Sequence, residues 1–187
     1  MIKAEVTDQA TVVNILTTAF ADNLSVNYIV SQDNKSEKIK ALMNYSFEQC
    51  MLFGNVYLSN DRKACALILY PQHKKTTLKS IWLDIQLILK SIGFSKAKQA
   101  LKRESQIKKI QPKVNMAYLW FIGVVPENQQ SGIGSKLLKE VITEAERNEL
   151  PVFLETSTLK NLPWYERFGF KVYDKLDLTY TLYFLKH

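Results

Sequence analysis

Cysteine and histidine are scarce in this chain of 187 residues, which contains two of each. Cys50 and Cys65 stand on separate elements and form no spacing typical of metal binding or redox exchange, so we expect a reducing, cytoplasmic location. His73 and His187 are too few and too scattered for a zinc site, and we predict no bound metal.

Long apolar runs are also missing. No stretch of about 18 uncharged apolar residues occurs, so we expect no membrane-spanning helix. The N-terminal residues lack the apolar core of a secretory signal. No linker rich in proline, glycine or serine divides the chain, so we predict a single domain over residues 1–187.

Negative charge is in short supply, and the net charge is +7. Much of the excess lies between Lys74 and Lys113, where the only acids are Asp84 and Glu104. Nucleic acid, a membrane surface or the phosphates of a cofactor would suit this segment. A solvated helix face is the simpler interpretation, because the lysines lack the aromatic or glycine–arginine pattern of nucleic-acid modules. We therefore predict no membrane partner, and nucleic acid is the less favoured interpretation of this segment.

Hydrophobic periodicity predicts an α/β chain. Six helices are predicted. One is capped by Thr7 or Asp8, one begins at Gly132, and the other four are Lys35 to Phe53, Leu78 to Ile92, Ser95 to Ile110 and Asn161 to Phe168. The strand patterns are Ile2 to Val6, Val56 to Leu58, Ala64 to Tyr70, Tyr118 to Val125, Val152 to Leu154, Lys171 to Tyr173 and Leu178 to Phe184. Asp22 to Asn27 is predicted as a loop. Apolar residues lie all around the helix Leu78 to Ile92, so we expect much of it to be buried.

A strand, a glycine-bearing loop and a helix follow one another between Tyr118 and Leu138. The strand is apolar throughout, which is typical of a strand buried on both faces, and Pro126 ends it. Gly132 and Gly134 then open an amphipathic helix. Unpaired N–H groups at a helix N-terminus, with glycine to allow close approach, are suited to bind an anion such as phosphate.

A second polar segment comes later in the chain. The strand Val152 to Leu154 ends in a polar turn, Glu155 to Ser157, that is suited to cap a helix. The helix Asn161 to Phe168 follows, and Gly169 is its predicted C-terminal cap. Within it, Tyr165 comes four residues after the asparagine, so the two side chains lie on one side.

The glycine loop does not match two common phosphate-binding motifs. Leu137 stands where the dinucleotide fingerprint needs its third glycine, and the Gly-Lys-Ser/Thr run of the nucleotide P-loop is absent. The remaining pattern, Gln129-x-x-Gly132-x-Gly134 directly after a strand, resembles the acetyl-CoA pyrophosphate loop of the GNAT N-acetyltransferase superfamily.

The second segment strengthens this resemblance. Its order of a strand, Leu-Glu, Asn161, Tyr165 and Gly-Phe is similar to the part with which that superfamily completes its cofactor site. The resemblance implies an α/β, single-domain GNAT fold with a mixed central sheet flanked by helices. The predicted helices between Leu78 and Ile110 would then be an extra two-helix insertion before the central strand.

The resemblance also implies a site for acetyl-CoA as the acetyl donor. The residues implied to bind this cofactor are Ile122, Gly123, Val124, Gln129, Gln130, Ser131, Gly132, Ile133, Gly134, Ser135, Asn161 and Tyr165. Tyr165 would protonate the leaving thiolate, Glu155 would act as the base, and the N–H of Val124 would meet the oxyanion. The alternatives are a tyrosine in the core, a structural hydrogen bond at the glutamate and a helix N-cap at Asn161.

The implied activity is acetyl-CoA-dependent transfer of an acetyl group to a primary amine, by direct attack of the amine on the thioester. The acceptor, a small molecule or a peptide, is left open, although Tyr28, Trp82 and Trp120 hint at a partly apolar amine. Two other interpretations stay open. A protein of the same fold could bind acyl-CoA as a non-catalytic sensor or scaffold, or the basic helices could bind nucleic acid. Oligomeric state, including a homodimer, is also open.

Overall fold

The computed structural model describes residues 1–187 as a seven-stranded sheet with helices on both faces. The strands lie in the spatial order β1-β2-β3-β4-β5-β7-β6. Their bounds are β1 Ile2–Lys3, β2 Gly54–Leu58, β3 Ala64–Leu69, β4 Ala117–Val124, β5 Val152–Thr156, β6 Lys171–Asp177 and β7 Thr181–Lys186. The helices are α1 Gln9–Ala19, α2 Leu24–Ile29, α3 Lys35–Phe53, α4 Leu78–Leu87, α5 Phe94–Ile110, α6 Ile133–Arg147 and α7 Leu162–Glu166.

The sheet is mixed. Strands β4 and β5 pair in parallel, and all other neighbouring strands pair antiparallel. The crossover between the two parallel strands is α6, as a parallel connection requires. The predicted mixed sheet flanked by helices is therefore confirmed.

Two apolar cores lie on opposite faces of this sheet. The first core lies under α1 and α3 and contains Leu16, Phe47 and Phe121. The second core lies under α6 and α7 and contains Leu138 and Leu154. The buried residues of α6 follow spacings of three, four and one, so the amphipathic pattern in the sequence correctly identified its inner face. No helix combines the length and the apolar composition that crossing a bilayer requires.

Two predictions for the N-terminal segment were wrong. Strand β1 ends at Lys3 instead of Val6, because the chain turns there into a short 3-10 helix over Val6–Asp8. The segment predicted as a loop contains α2, whose N-cap Asn23 accepts a hydrogen bond from the Val26 N–H at 3.0 Å. Six helical residues are too few to show a clear period, so the sequence pattern missed this helix.

The prediction that the helix Leu78 to Ile92 is largely buried was also wrong. It divides into α4 and a π-helical turn over Ile88–Ile92, and only its narrow inner face, with Leu83 and Ile92, is buried. Trp82 is 58% exposed and Leu78 is 88% exposed. Apolar residues on all sides of a helix therefore do not by themselves show that other elements of the protein cover every side.

Candidate active site

The site begins where β4 and β5 separate. The two strands are paired only at Ala117 with Val152 and at Tyr118 with Phe153. Beyond these pairs β4 continues to Val124 beside β3, while β5 continues beside β7. The result is a cleft in the middle of the sheet, with one strand edge on each side that has no strand partner across it.

A β-bulge in β4 sets which side chains face this cleft. Leu67 pairs with Phe121 and Ile68 pairs with Leu119, so Trp120 is the extra residue. As a result, Trp120 and Phe121 both pack on the first core, although strand neighbours normally alternate. The strand was predicted to be buried on both faces, but buried and half-buried residues alternate along it, and half-buried residues occur on both faces of the sheet.

The backbone of β4 presents polar groups to the cleft. The Val125 N–H bonds to the Lys63 carbonyl at 2.9 Å on the β3 side. Along a strand, the N–H and C=O groups of successive residues point alternately to the two neighbouring sides. The N–H and C=O groups of Val124 and Ile122 therefore point away from β3 and toward the cleft. Gly123 differs from its sequence prediction, because the same alternation turns its backbone toward β3. A Cβ at Gly123 would lie 3.0 Å from Leu16, so close packing of α1 explains this glycine.

The loop after β4 forms a nest of free N–H groups. The first hydrogen bond of α6 runs from the Lys136 N–H to the Gly132 carbonyl at 2.9 Å. None of the six N–H groups from Gln130 to Ser135 donates to a protein acceptor. Both Gln130, with φ +64°, and Gly132, with φ +87°, are in the left-handed region, which turns successive N–H groups inward. This concave group of donors at a helix N-terminus is suited to bind an anion.

Contacts of the surrounding side chains hold this loop in place. The Trp164 indole N–H of α7 donates to the Ser135 hydroxyl at 2.9 Å. A Cβ at Gly134 would lie 3.1 Å from the Val124 side chain, so glycine keeps the loop close to the end of β4. Gln129 donates weakly to the Val124 carbonyl at 3.4 Å and closes the loop from its other end.

The remaining predicted residues of the loop lie in two environments. Ser131 is exposed, and its hydroxyl donates to the Asn128 carbonyl at 2.6 Å. Ile133 is half-buried and packs against the second core. The structure thus places the loop and the β4 edge together at one end of the cleft.

Glu155 lies on the other side of the cleft. Strand β5 extends to Thr156, so this glutamate belongs to the strand and not to the polar turn that the sequence predicted. The Gln111 side chain donates to its Oε1 at 2.8 Å, and the Tyr118 hydroxyl donates to its Oε2. Burial raises the pKa of Glu155 above its usual value, and the two hydrogen bonds partly oppose this by favouring the ionised form. Burial and the nearby glutamate together hold the pKa of Tyr118 well above its usual value, so this phenol stays protonated.

Tyr118 and Gln111 were not predicted from the sequence as partners of Glu155. Both are distant in sequence, 37 and 44 residues from the glutamate. The sequence held one signal for the tyrosine. Tyr118 and Trp120 are the two residues of this apolar strand whose side chains contain a polar atom. Gln111 carried no signal, since it ends α5 and looked like a helix terminus.

Tyr165 and Asn161 lie on and before α7. Tyr165 is 6% exposed, packs on Trp164 and Phe170, and its hydroxyl makes no hydrogen bond within the protein. Burial raises the pKa of Tyr165, which keeps its proton in place at neutral pH. Asn161 is at the N-cap position but its side chain caps no backbone group, so the helix-cap alternative does not account for it.

The candidate acid and base approach the cleft from opposite faces of the sheet. Tyr165 and Leu154 belong to the second core. Because neighbours on a strand alternate, Glu155 points to the opposite face, where Tyr118 packs on the first core. A reactant held between β4 and β5 would therefore have a carboxylate on one side and a phenol on the other.

Two aromatic pairs connect helices of the first-core side with the sheet and with the β6–β7 hairpin. The Tyr45 ring lies 6.1 Å from Trp120, and its hydroxyl donates to Asp84 at 2.7 Å. The Tyr28 ring lies 5.4 Å from Tyr180. These contacts connect α2, α3 and α4 with β4 and the β6–β7 hairpin.

Arg103 ties α5 to the same region. Its guanidinium donates to the Tyr180 hydroxyl at 2.9 Å and to the Ser25 hydroxyl at 2.5 Å. The Ser25 N–H in turn donates to the Ser157 hydroxyl at 3.3 Å, just beyond β5. The positive charge of Arg103 also lies near enough to Glu155 to favour its ionised form.

A separate surface depression of about 630 Å³ lies away from this cleft. Met1, Lys3, Tyr57, Glu140 and Arg147 are among the residues that line it. It contains neither the loop nor the carboxylate–phenol pair, so its size does not make it the candidate active site.

Comparison with known proteins relates part of this chain to a known domain family. Residues 88–172 match the family model of the acetyltransferase (GNAT) domain. An uncharacterised N-acetyltransferase of Schizosaccharomyces pombe is 37% identical over 62 residues, which are 33% of this chain. That match spans 25% of the length of the yeast protein.

Solved structures agree on the fold. A histone acetyltransferase HPA2 and related acetyltransferase from Corynebacterium glutamicum has a TM-score of 0.74 at 22% identity, over 98% of this chain and 93% of that one. Arylalkylamine N-acetyltransferase 2 from Aedes aegypti has a TM-score of 0.67 at 14% identity, over 100% of this chain and 96% of that one. Residues 88–172 thus match the acetyltransferase (GNAT) domain, and the chain shares its fold with solved acetyltransferases.

Proposed function

We propose that this protein is an acetyl-CoA-dependent N-acetyltransferase that acetylates a primary amine by direct attack on the thioester. The observation that carries this proposal is the cleft between β4 and β5, which has an anion-binding loop at one end and the Glu155–Tyr118 pair at the other. A phosphate-bearing thioester and an amine are the two reactants that such a cleft suits.

The residues of the loop and β4 fit the cofactor. The six free N–H groups from Gln130 to Ser135 are placed to bind a pyrophosphate. The β4 edge offers Ile122 and Val124 to the pantetheine arm, as an added strand would pair with an open edge. The Asn161 side chain has no partner within the protein and is available for a pantetheine amide. Acetyl-CoA supplies the activated acetyl carbon and the thiolate leaving group.

The acid and base roles follow from burial and geometry. Glu155, through its carboxylate, takes the proton that the amine must lose, and its raised pKa makes it a stronger base than an exposed glutamate. The Val124 N–H donates to the oxyanion that develops as the amine attacks. Tyr165 donates its phenolic proton to the departing sulfur from the opposite face of the sheet. Tyr118 and Gln111 position the carboxylate.

We infer that the acceptor amine carries an apolar or aromatic group. Trp120 packs on the face of the sheet to which Glu155 points, and the Tyr45 ring packs on Trp120. The Tyr28 ring packs on Tyr180, which bonds to Arg103, and the Arg103 charge favours the ionised form of Glu155. Among the structural neighbours, mosquito arylalkylamine N-acetyltransferases and the condensation domain of Ebony in complex with beta-alanyl-dopamine are named for aromatic amines. Those neighbours are 11% to 14% identical to this chain, so the aromatic residues carry the inference.

The same proposal extends to organisation and location. One continuous sheet contains strands from both ends of the chain, which supports a single domain over residues 1–187. Cys50 and Cys65 are both free and buried, which is typical of proteins in a reducing cytoplasm.

The first test is a thermal-shift comparison of acetyl-CoA, CoA and ATP. A ligand at a hundred times its dissociation constant stabilises by about 2.7 kcal/mol, which corresponds to a Tm increase of several degrees. We expect acetyl-CoA and CoA to raise the Tm and ATP to leave it unchanged. Release of free thiol with a panel of aryl-substituted and aliphatic amines then tests the transfer itself. Cofactor binding without thiol release on any amine would indicate a binding protein and refute the enzymatic proposal.

A further inference from the structure

Helix α4 turns an apolar face to the outside. Its apolar stripe consists of five exposed residues at successive spacings of three, one, three and four: Leu78, Ile81, Trp82, Ile85 and Leu89. Their exposed fractions lie between 43% and 88%. Such spacings place the five side chains on one helix face, and a contiguous apolar face of this kind usually marks an interaction site.

The orientation of this stripe is held by contacts on the inner face of α4. Leu83 is buried, and Asp84 accepts a hydrogen bond from the Tyr45 hydroxyl at 2.7 Å. In the π-helical turn that follows α4, the Ser91 hydroxyl donates to the Lys38 carbonyl at 2.8 Å. Rotating the stripe inward would break these contacts, so the apolar face is a stable feature of the surface.

Positive charge surrounds the stripe. The basic rim consists of six exposed lysines, Lys74, Lys75, Lys79, Lys90, Lys98 and Lys102. Lys79 pairs with Glu48 of α3 at 2.8 Å, and the other five form no ion pair. Lys79 and Lys90 each follow a stripe residue directly and therefore lie along one edge of the stripe. The only acid between residues 74 and 103 is Asp84, whose carboxylate is bonded to Tyr45. Phe94 and Leu101 are two further exposed apolar residues, on α5.

We propose that the apolar stripe and the basic rim dock the protein on an anionic lipid surface. Aliphatic and aromatic side chains on one helix face, with lysines beside them, are the pattern of helices that lie in the membrane interface. Each lysine near an anionic bilayer adds attraction, and the stripe adds insertion below the headgroups. From the sequence alone we predicted no membrane partner, because a solvated helix face was the simpler interpretation of the lysines and the apolar residues of Leu78 to Ile92 were expected to be buried.

Two other occupants fit less well. A second copy of the chain, paired about a two-fold axis on this face, would bring two basic rims against each other. Single-stranded nucleic acid would bind the lysines through its phosphates and stack a base on Trp82. It would leave the apolar side chains of Leu78, Ile85 and Leu89 in contact with water. An anionic lipid surface uses both parts of the surface, and this holds whether or not the protein is an acetyltransferase.

The test is sedimentation of the full chain with vesicles of phosphatidylcholine alone or with about 30% phosphatidylserine, at two salt concentrations. We expect binding to the anionic vesicles, weaker binding at high salt, and little binding to neutral ones. Trp82→Ser with Leu89→Ser should lower the partition coefficient at least tenfold. The matched control, Val6→Ser with Val172→Ser, also removes two exposed apolar side chains and should leave it unchanged.

Two double charge-reversal variants, one within the basic rim and one outside it, test the role of the rim. Lys74→Glu with Lys75→Glu should reduce binding at least tenfold, because each lysine near the bilayer accounts for about a fivefold change. Lys3→Glu with Lys139→Glu changes the net charge equally on another part of the surface and should have little effect. A blue shift of tryptophan emission on anionic vesicles, lost in Trp82→Phe, would place the stripe in the bilayer.

Three results would overturn the proposal. Equal binding of the stripe variant and its control would show that the stripe does not contact lipid. A dimer by light scattering that becomes monomeric in Trp82→Ser with Leu89→Ser would show that a second copy covers the stripe. Binding to single-stranded RNA, without binding to anionic vesicles, would assign the lysines to nucleic acid.

Discussion

Replacing Tyr118 by phenylalanine should move the pH at which Glu155 becomes an active base. The tyrosine hydroxyl donates to the glutamate and so favours its ionised form, while burial opposes ionisation. Tyr118→Phe removes one of the two side-chain hydrogen bonds that favour the carboxylate and keeps the other, from Gln111. The pKa of Glu155 should therefore rise further.

The size of this effect follows from the hydrogen bond that is lost. A hydrogen bond to a charged group contributes about 1.5–3 kcal/mol, and one pKa unit corresponds to about 1.36 kcal/mol. We take the lower end because Gln111 still donates to the carboxylate, and expect the acidic limb of kcat/KM to move up by about one pH unit. Below the limb, Tyr118→Phe should be about tenfold slower than the wild type, and well above the limb the two should converge.

The assay is a pH profile of kcat/KM for wild type and variant on one amine, so that the titration of the amine itself is the same in both profiles. Tyr57→Phe is the control, because that tyrosine is buried in the second core and makes no side-chain hydrogen bond with Glu155. Glu155→Gln should abolish the limb and most of the activity. An unchanged limb in Tyr118→Phe would refute the reasoning, as would full activity in Glu155→Gln.

Three further predictions concern the acid, the loop and the buried carboxylate. Tyr165→Phe should reduce turnover at least a hundredfold and leave the acetyl-CoA Kd within twofold; normal turnover would remove Tyr165 from the mechanism. Gly134→Val should weaken acetyl-CoA binding at least tenfold in a calorimetric titration, because a Cβ at this position would already lie 3.1 Å from the Val124 side chain. Gly132 has open space around it but a φ of +87°, so Gly132→Ala should mainly lower the Tm, through about 1–2 kcal/mol of backbone strain. Glu155→Gln should keep or raise the Tm at neutral pH, because a carboxyl whose pKa is raised by burial costs stability once it ionises. The increase in Tm over the wild type should vanish as the pH falls through the usual carboxyl range, where the wild-type carboxyl is neutral. A lower Tm of the variant at neutral pH would contradict this prediction.

The glycine loop before α6 was predictable because the features that form it are local. Gly132 and Gly134 lie within three residues of each other, and the donors they expose belong to the same short backbone segment. Helix α3 was predicted with its observed bounds, Lys35–Phe53, because its apolar period extends over five turns. Interactions between neighbours in sequence are present in any fold that keeps the segment, so the sequence pattern reports them directly.

The partners of Glu155 were not predictable, because the carboxylate and its two partners come from three different elements. Tyr118 reaches the carboxylate only because β4 and β5 pair at two positions and then separate, and Gln111 reaches it only because α5 ends there. The turn of Gly123 toward β3 similarly depends on which residues bond across the sheet. Hydrogen bonds between distant residues are set by the packing of whole elements, which no local pattern records.

The sequence by itself determined the order of most helices and strands, the loop that presents six free N–H groups, and the identities of Glu155 and Tyr165 as candidate base and acid. Only the tertiary structure decided that these two residues approach the cleft from opposite faces of the sheet. It also decided that the apolar stripe of α4 lies on the outside, although its composition predicted burial. Apolar composition reports what a side chain gains from leaving water, whereas burial requires a neighbouring element to cover it, and that depends on the fold as a whole.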